Sequence, residues 1–139
     1  MIDASLRRHV IERAGDRCEY CQLSQEHELF GTFHIEHIIA KQHGGDDLET
    51  NLCLACSSCN LHKGPNVAGV DAQSGDLVPL FHPRNHRWSD HFEWHGAVLA
   101  AKTAIGRVTI IVLGINLPEN LEHRESLIAE GVFPGVKIP

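Results

Sequence analysis

FHIEHIIAKQHGGDDLETNLCLACSSCNLHKG, residues Phe33 to Gly64, gathers an unusual number of chemically active side chains into one short segment. An acid and a histidine stand side by side at Glu36 and His37, and a tight Gly44-Gly45 turn follows. Asn51 precedes an apolar run, and Cys56-x-x-Cys59 leads straight into Asn60, His62 and Lys63. Core packing gives no reason to crowd so many metal-philic and basic groups together.

A second Cys-x-x-Cys, Cys18 and Cys21, lies upstream. Two such knuckles each supply two sulfur ligands with little strain, and zinc takes four of them in a tetrahedron. The spacing therefore predicts a structural zinc site of Cys18, Cys21, Cys56 and Cys59. The intervening residues 22–55 must loop out from it, and they carry the acid and the histidine. A closed four-sulfur site has no open position for a substrate, so chemistry is expected elsewhere. Of the five cysteines, Cys53 is left over in the apolar run NLCLAC and reads as a buried free thiol.

Glu36 offers a hard oxygen ligand suited to Mg²⁺ or Mn²⁺, and His37 offers an imidazole, the side-chain type suited to proton transfer at neutral pH. A regular strand throws adjacent side chains to opposite faces. Both groups reach one cleft only if the strand ends or twists there, which the turn after Ile38 allows. Asn60, on the helix after the second knuckle, can offer a carbonyl oxygen to the metal that Glu36 holds. Asn51 can orient the loop or the histidine through its amide.

HIEHIIAKQHGG, ETNLCLAC and SSCNLHKG, taken in order, resemble the three parts of the HNH endonuclease motif of the ββα-metal class. The resemblance covers residues 18–64. It implies His37 as general base, Asn51 as the middle asparagine and Asn60 as the final motif position, a metal ligand. Glu36 stands where many members carry Asp, and Asn60 where many carry His. His62 is a candidate substitute ligand, His34 a candidate accessory on the strand face of Glu36, and Lys63 and Lys41 lie where a phosphate approaches. The implied activity is metal-dependent hydrolysis of DNA phosphodiester bonds, with Zn²⁺ structural and Mg²⁺ or Mn²⁺ catalytic. LFHPRNHRWSDHFEW also resembles the tail of small bacterial HNH proteins. There Arg84, His86 and Arg87 are candidates for phosphate contact, against a plain structural cap.

The expected fold is α+β and a single domain over 1–139: a zinc-stapled, treble-clef-like ββα-metal core at 18–64, with a β-rich extension over 67–139. Asp3 or Ser5 can cap an N-terminal helix ending near Gly15, with Arg7, Arg8 and Arg13 mostly off its apolar face. Residues 22–32 read as a polar exposed loop. Ser57 can cap the short helix after the second knuckle. VDA and LVPLF bracket a Gly-bearing turn and predict a hairpin. HFEWH, VLAAKT and RVTIIVLGI read as three strands of an antiparallel meander. A last helix is capped by Asn116, with Pro118 at its first position. Leu121, Arg124, Leu127 and Ile128 are spaced for its buried edge. His9, His27, His91, His95 and His123 read as structural or surface residues.

No apolar run approaches the roughly 20 residues of a membrane span, and the N-terminus carries no signal-like apolar segment, so a cytoplasmic protein without membrane contact is expected. The net charge of −6 runs against the basic footprint of a general nucleic-acid binder. It favours the competing expectation, a non-catalytic zinc module that binds nucleic acid or protein. Oligomeric state is not readable from the sequence.

Overall fold

The computed structural model describes residues 1–135. Residues 136–139, the end of the expected extension, lie outside the described ones. Helix α1 (Ala4–Arg13) starts at Asp3, whose carboxylate accepts a hydrogen bond from the Leu6 amide at 2.8 Å. Val10 is its fully buried anchor, and α1 packs against the strand Leu52–Ala55. Arg13 holds that contact, donating to the carbonyls of Leu52 at 2.7 Å and Glu49 at 3.1 Å.

Strands β1 (His34–His37) and β2 (Leu52–Ala55) form an antiparallel pair in which Glu36 faces Cys53 and His37 faces Leu52. Helix α2 (Ser57–Lys63) follows directly. This gives the expected strand, loop, strand, helix order. The cap of α2 is the thiol of Cys56, which accepts from the Cys59 amide at 3.4 Å, rather than Ser57. Residues 22–32 are not wholly exposed: Gln22 and Leu23 are buried, and the Leu23 carbonyl accepts from the Cys18 amide at 2.8 Å.

Beyond α2 the chain makes two separate hairpins, β3 (Ala68–Val70) with β4 (Leu77–Pro79), and β5 (Phe92–His95) with β6 (Val98–Ala101). A four-residue helix, α3 (Trp88–His91), precedes β5. The expected third strand of a meander is instead a helix, α4 (Ala104–Val112). Its β-branched composition suggested a strand, but Val108, Thr109 and Ile110 are buried in succession while Ile111 is 80% exposed. Strict alternation cannot produce that pattern, whereas a helix crossing β6 and the β3–β4 hairpin does. Thr103 supplies the cap by accepting from the Gly106 amide, and Gly106 lies so close to the His91 carbonyl that a Cβ would fall 2.3 Å from it. The expected β-rich extension is thus a mixture of short hairpins and helices.

Helix α5 (Pro118–Ala129) begins with proline in its first turn as expected, but Leu117 occupies the cap position. Asn116 uses its amide to bracket Leu99, accepting from its N–H at 3.0 Å and donating to its carbonyl at 2.9 Å. Arg124 and Leu127 form the buried edge of α5, while Ile128 is exposed.

One apolar cluster joins these parts, running from Val10 and the cysteines through Leu52 and Leu54 to Trp88, Phe92, Leu99 and Leu113. Each large apolar side chain buried there contributes about 2 kcal/mol. The LFHPRNHRW segment is fastened to the first knuckle. Trp88 donates to the Tyr20 carbonyl at 2.9 Å, and Arg84 pairs with Glu19.

Candidate metal centre and cleft

Cys18, Cys21, Cys56 and Cys59 converge, their sulfurs all within 4.8 Å of one another and all buried. Cys21 and Cys56 Sγ are 3.6 Å apart. A tetrahedron with metal–sulfur bonds of about 2.3 Å has edges of about 3.8 Å, so the donor set fits zinc in size and in softness. The Cys21 and Cys59 amides donate to the sulfurs of Cys18 and Cys56, at 3.5 and 3.4 Å. Hydrogen bonds with Cys18, Cys56 and Cys59 hold the Cys21 thiol well below its ordinary pKa. Burial pushes the separate thiol of Cys53 up to about 12, as expected of an inert core cysteine.

On the other side of α2, His34, Glu36, His37, Lys41 and Asn60 line one open cleft. Strand β1 ends at His37, with Glu36 and His37 both still paired, opposite Cys53 and Leu52. Their side chains take different partners, Lys63 and Asp47, and both residues border the cleft. Asn51 holds the loop that follows. Its side-chain oxygen accepts from the Ile39 amide at 2.9 Å, and its Nδ2 donates to the carbonyls of Ile39 and Asp46 at 3.0 and 2.9 Å. The amide is thus spent on the backbone of the turn, not on the imidazole.

The imidazole has a different partner. His37 Nε2 lies 2.7 Å from Asp47 Oδ1. A carboxylate there accepts, so Nε2 carries the proton and Nδ1 is left as the basic atom. Asp47 is itself gripped by the Met1 ammonium and by Lys41 at 3.0 Å. The Met1 ammonium first, then His37 and Lys41, hold its carboxyl well below the usual carboxylate range. In the sequence Asp47 is simply the residue that closes the Gly44-Gly45-Asp46-Asp47 turn. No periodicity or spacing marks it, because its contact depends on how that turn folds back over β1.

Lys63 is the second surprise. It is 1% exposed, neither solvated nor open to a phosphate, and its ammonium donates to Glu36 Oε1 at 3.0 Å and to the His37 carbonyl at 3.2 Å. Glu36 is accordingly neutralised on one oxygen by the protein itself. His62 does not line the cleft. Two positions beyond Asn60 it lies about 200° around the helix. Its Nδ1 meets the Ser58 carbonyl at 2.8 Å, and its ring approaches Gly114.

The phosphate-contact expectation for the downstream segment is also revised. Arg84 is engaged by Glu19, and His86 Nδ1 accepts from the His82 amide at 2.9 Å; Arg87 alone of the three is exposed. The structural-cap expectation describes Arg84 and His86.

Residues 18–66, which contain both knuckles and the cleft, match the family model described as HNH endonuclease. No curated protein and no solved structure matches the chain. No helix among the described residues is long and apolar enough to cross a membrane.

Proposed function

We propose that the protein is a metal-dependent HNH endonuclease that hydrolyses DNA phosphodiester bonds. The observation that supports this most directly is the meeting of Glu36, His37 and Asn60 in one open cleft beside a separate four-sulfur site. Residues 18–64 are the nuclease core in this reading, and 67–139 its supporting extension. Zinc bound by the four cysteines fixes β2 and α2 against the first knuckle. Glu36, through the oxygen that Lys63 leaves free, and Asn60, through its amide oxygen, are the groups that would hold Mg²⁺ or Mn²⁺. Oxygen donors of this kind suit either ion. A divalent cation there supplies Lewis-acid stabilisation of charge developing on the phosphate and the leaving 3′-oxygen.

The rest is the work of the chain. His37 Nδ1 takes the proton from the attacking water, and Asp47 holds the ring in the tautomer that leaves this nitrogen free. Asn51 fixes the turn that carries Asp47. Lys63 holds the Glu36 side chain in place through its hydrogen bond to Oε1. His34 and Lys41, on the rim, meet the flanking phosphates.

Plasmid nicking with and without added Mg²⁺ or Mn²⁺ tests this, comparing the wild type with His37→Ala at equal zinc content. The wild type is expected to cut only with added metal, and the variant not to cut. A second reading, a non-catalytic zinc module that binds nucleic acid or protein, is favoured by the net charge of −6 and by the existing Glu36–Lys63 pair. Failure of both proteins to cut under any metal, with both folded, would select it.

A further inference from the structure

Arg124 is a buried cation with an unusual set of partners. On α5 it is 5% exposed. It donates to the carbonyls of Ala97 at 2.7 Å and Ile115 at 2.8 Å, and to Asn116 Oδ1 at 3.1 Å. Its guanidinium sits over the ring of Trp94, 5.2 Å from the centroid. All these partners are neutral. None of the ion pairs among the described residues includes it.

A charge withdrawn from water without an anion is costly. The anion is next door. Arg124 lines the same cavity as Cys21, Cys56 and Cys59, along with Asn120 of its own helix. Burial disfavours its charged form, and those three thiols act against that effect. Glu28 and Glu119 line that cavity too, but the Glu28 carboxylate accepts from the Leu29 and Ser57 amides, and the charges that act on Arg124 are those of the cysteines. Four thiolates on one divalent ion would carry a net charge of −2. The fork ties the β5–β6 turn at Ala97 to the α4–α5 connection at Ile115 and Asn116, beside the cavity that the cysteines line.

We propose that Arg124 is the counter-charge of the metal-loaded four-cysteine centre, and that metal occupancy is thereby coupled to the docking of α5. This rests on the reading that the four cysteines hold a divalent ion as thiolates, and is independent of any nuclease activity. Without metal the centre no longer presents a fixed dianion to the guanidinium, whose other partners are all neutral. Helix α5 then loosens first. With metal bound, the cation stabilises the dianionic centre and slows ligand loss.

The test uses zinc-loaded full-length protein and its variants Arg124→Met, Arg124→Lys and Leu127→Ala. Leu127 is buried on the same helix and carries no charge, so its truncation weakens packing alone. Zinc transfer to the chromogenic chelator 4-(2-pyridylazo)resorcinol is followed at low and high salt, and amide hydrogen exchange of α5 is measured before and after stripping. Arg124→Met is expected to release zinc about tenfold or more faster than wild type, as for other groups supporting a metal's ligands. Arg124→Lys should stay near wild type, and Leu127→Ala should fall well short of Arg124→Met at matched thermal stability. Stripping should deprotect α5 in the wild type more than in Arg124→Met. If Arg124→Met does not fold, the Arg124→Lys and Leu127→Ala pair decides. Charge coupling requires Lys to hold zinc longer than the Leu127 variant. Equal release from all three variants overturns the proposal and leaves Arg124 as a packing residue. A wild type that binds no zinc, cobalt or cadmium stoichiometrically overturns the metal reading itself, and the proposal with it.

Discussion

The Lys63 ammonium donates a 3.0 Å hydrogen bond to Glu36 Oε1, and both side chains are withdrawn from solvent, at 1% and 10% exposure. A buried pair of this kind is costly to break from one side, because the surviving charge is left without a partner. Lys63→Met is therefore expected to destabilise the protein by about 3 kcal/mol and to abolish metal-dependent nicking. Combined with Glu36→Gln, much of the stability should return while nicking stays absent. Urea denaturation of the two variants beside the nicking assay separates those effects. Equal stability of single and double variants would contradict the pair's role.

Asp47 is expected to matter through His37 rather than by touching substrate. Asp47→Asn removes the fixed acceptor at Nε2, since an amide can present either its oxygen or its NH₂ group. The cleavage rate should fall about tenfold or more with little change in KM, and by less than for His37→Ala. ¹⁵N imidazole spectra of the two proteins should show the Nε2–H tautomer dominant in the wild type only. An unchanged tautomer with a lowered rate would mean Asp47 acts in some other way.

Cys53 should react well after Cys21. Its thiol is pushed up to about 12 by burial, above the ordinary value of ~8.5, so it stays protonated through neutral and mildly alkaline pH. Stripping the metal and alkylating at mildly alkaline pH should label Cys21, whose thiol its cysteine neighbours hold low, well before Cys53. Peptide mass mapping over a time course reads the order. Early labelling of Cys53 would place it outside the core.

Acid stability should depend on Asp71, whose carboxylate takes two 3.0 Å hydrogen bonds from Arg107. Arg107 first, and Ser74 with it, hold the Asp71 carboxyl well below its ordinary range. A carboxyl depressed on folding contributes stability that is fully present above its unfolded value of ~3.9, and is lost as pH falls through the folded value. Arg107→Met should thus lower stability at neutral pH, where the contribution is fully present, and move the midpoint of acid unfolding to higher pH. The gap between the two proteins should close as pH falls through the folded value, and circular dichroism in urea at a series of pH values follows this. Identical acid midpoints would show that the pair is immaterial.

Where the relevant information is local, it was legible before any coordinates. Two Cys-x-x-Cys knuckles chelate because two residues of spacing bring their sulfurs together in almost any tight turn. Asp3, the Gly44-Gly45 turn and Pro118 act within a few residues of themselves. The short β1 and β2 strands around the long loop follow from their apolar patterns. The RVTIIVLGI segment looks like a strand because β-branched residues favour strands by propensity alone, yet most of it folds into α4. Its burial in a run, against β6 and the β3–β4 hairpin, outweighed that propensity.

The sequence by itself determined the four sulfur ligands and the order of acid, histidine, asparagine and second knuckle, because those features depend on spacing along the chain. Only the tertiary structure decided which carboxylate holds the His37 ring, that Lys63 is spent on Glu36, that Arg84 is spent on Glu19, and that Arg124 of the last helix faces the cysteines. Each of these is a meeting of charges distant in sequence or turned inward by the fold. Charged side chains carry no periodic mark that tells solvent from partner. Their roles are set by which surfaces close over them and remove the water.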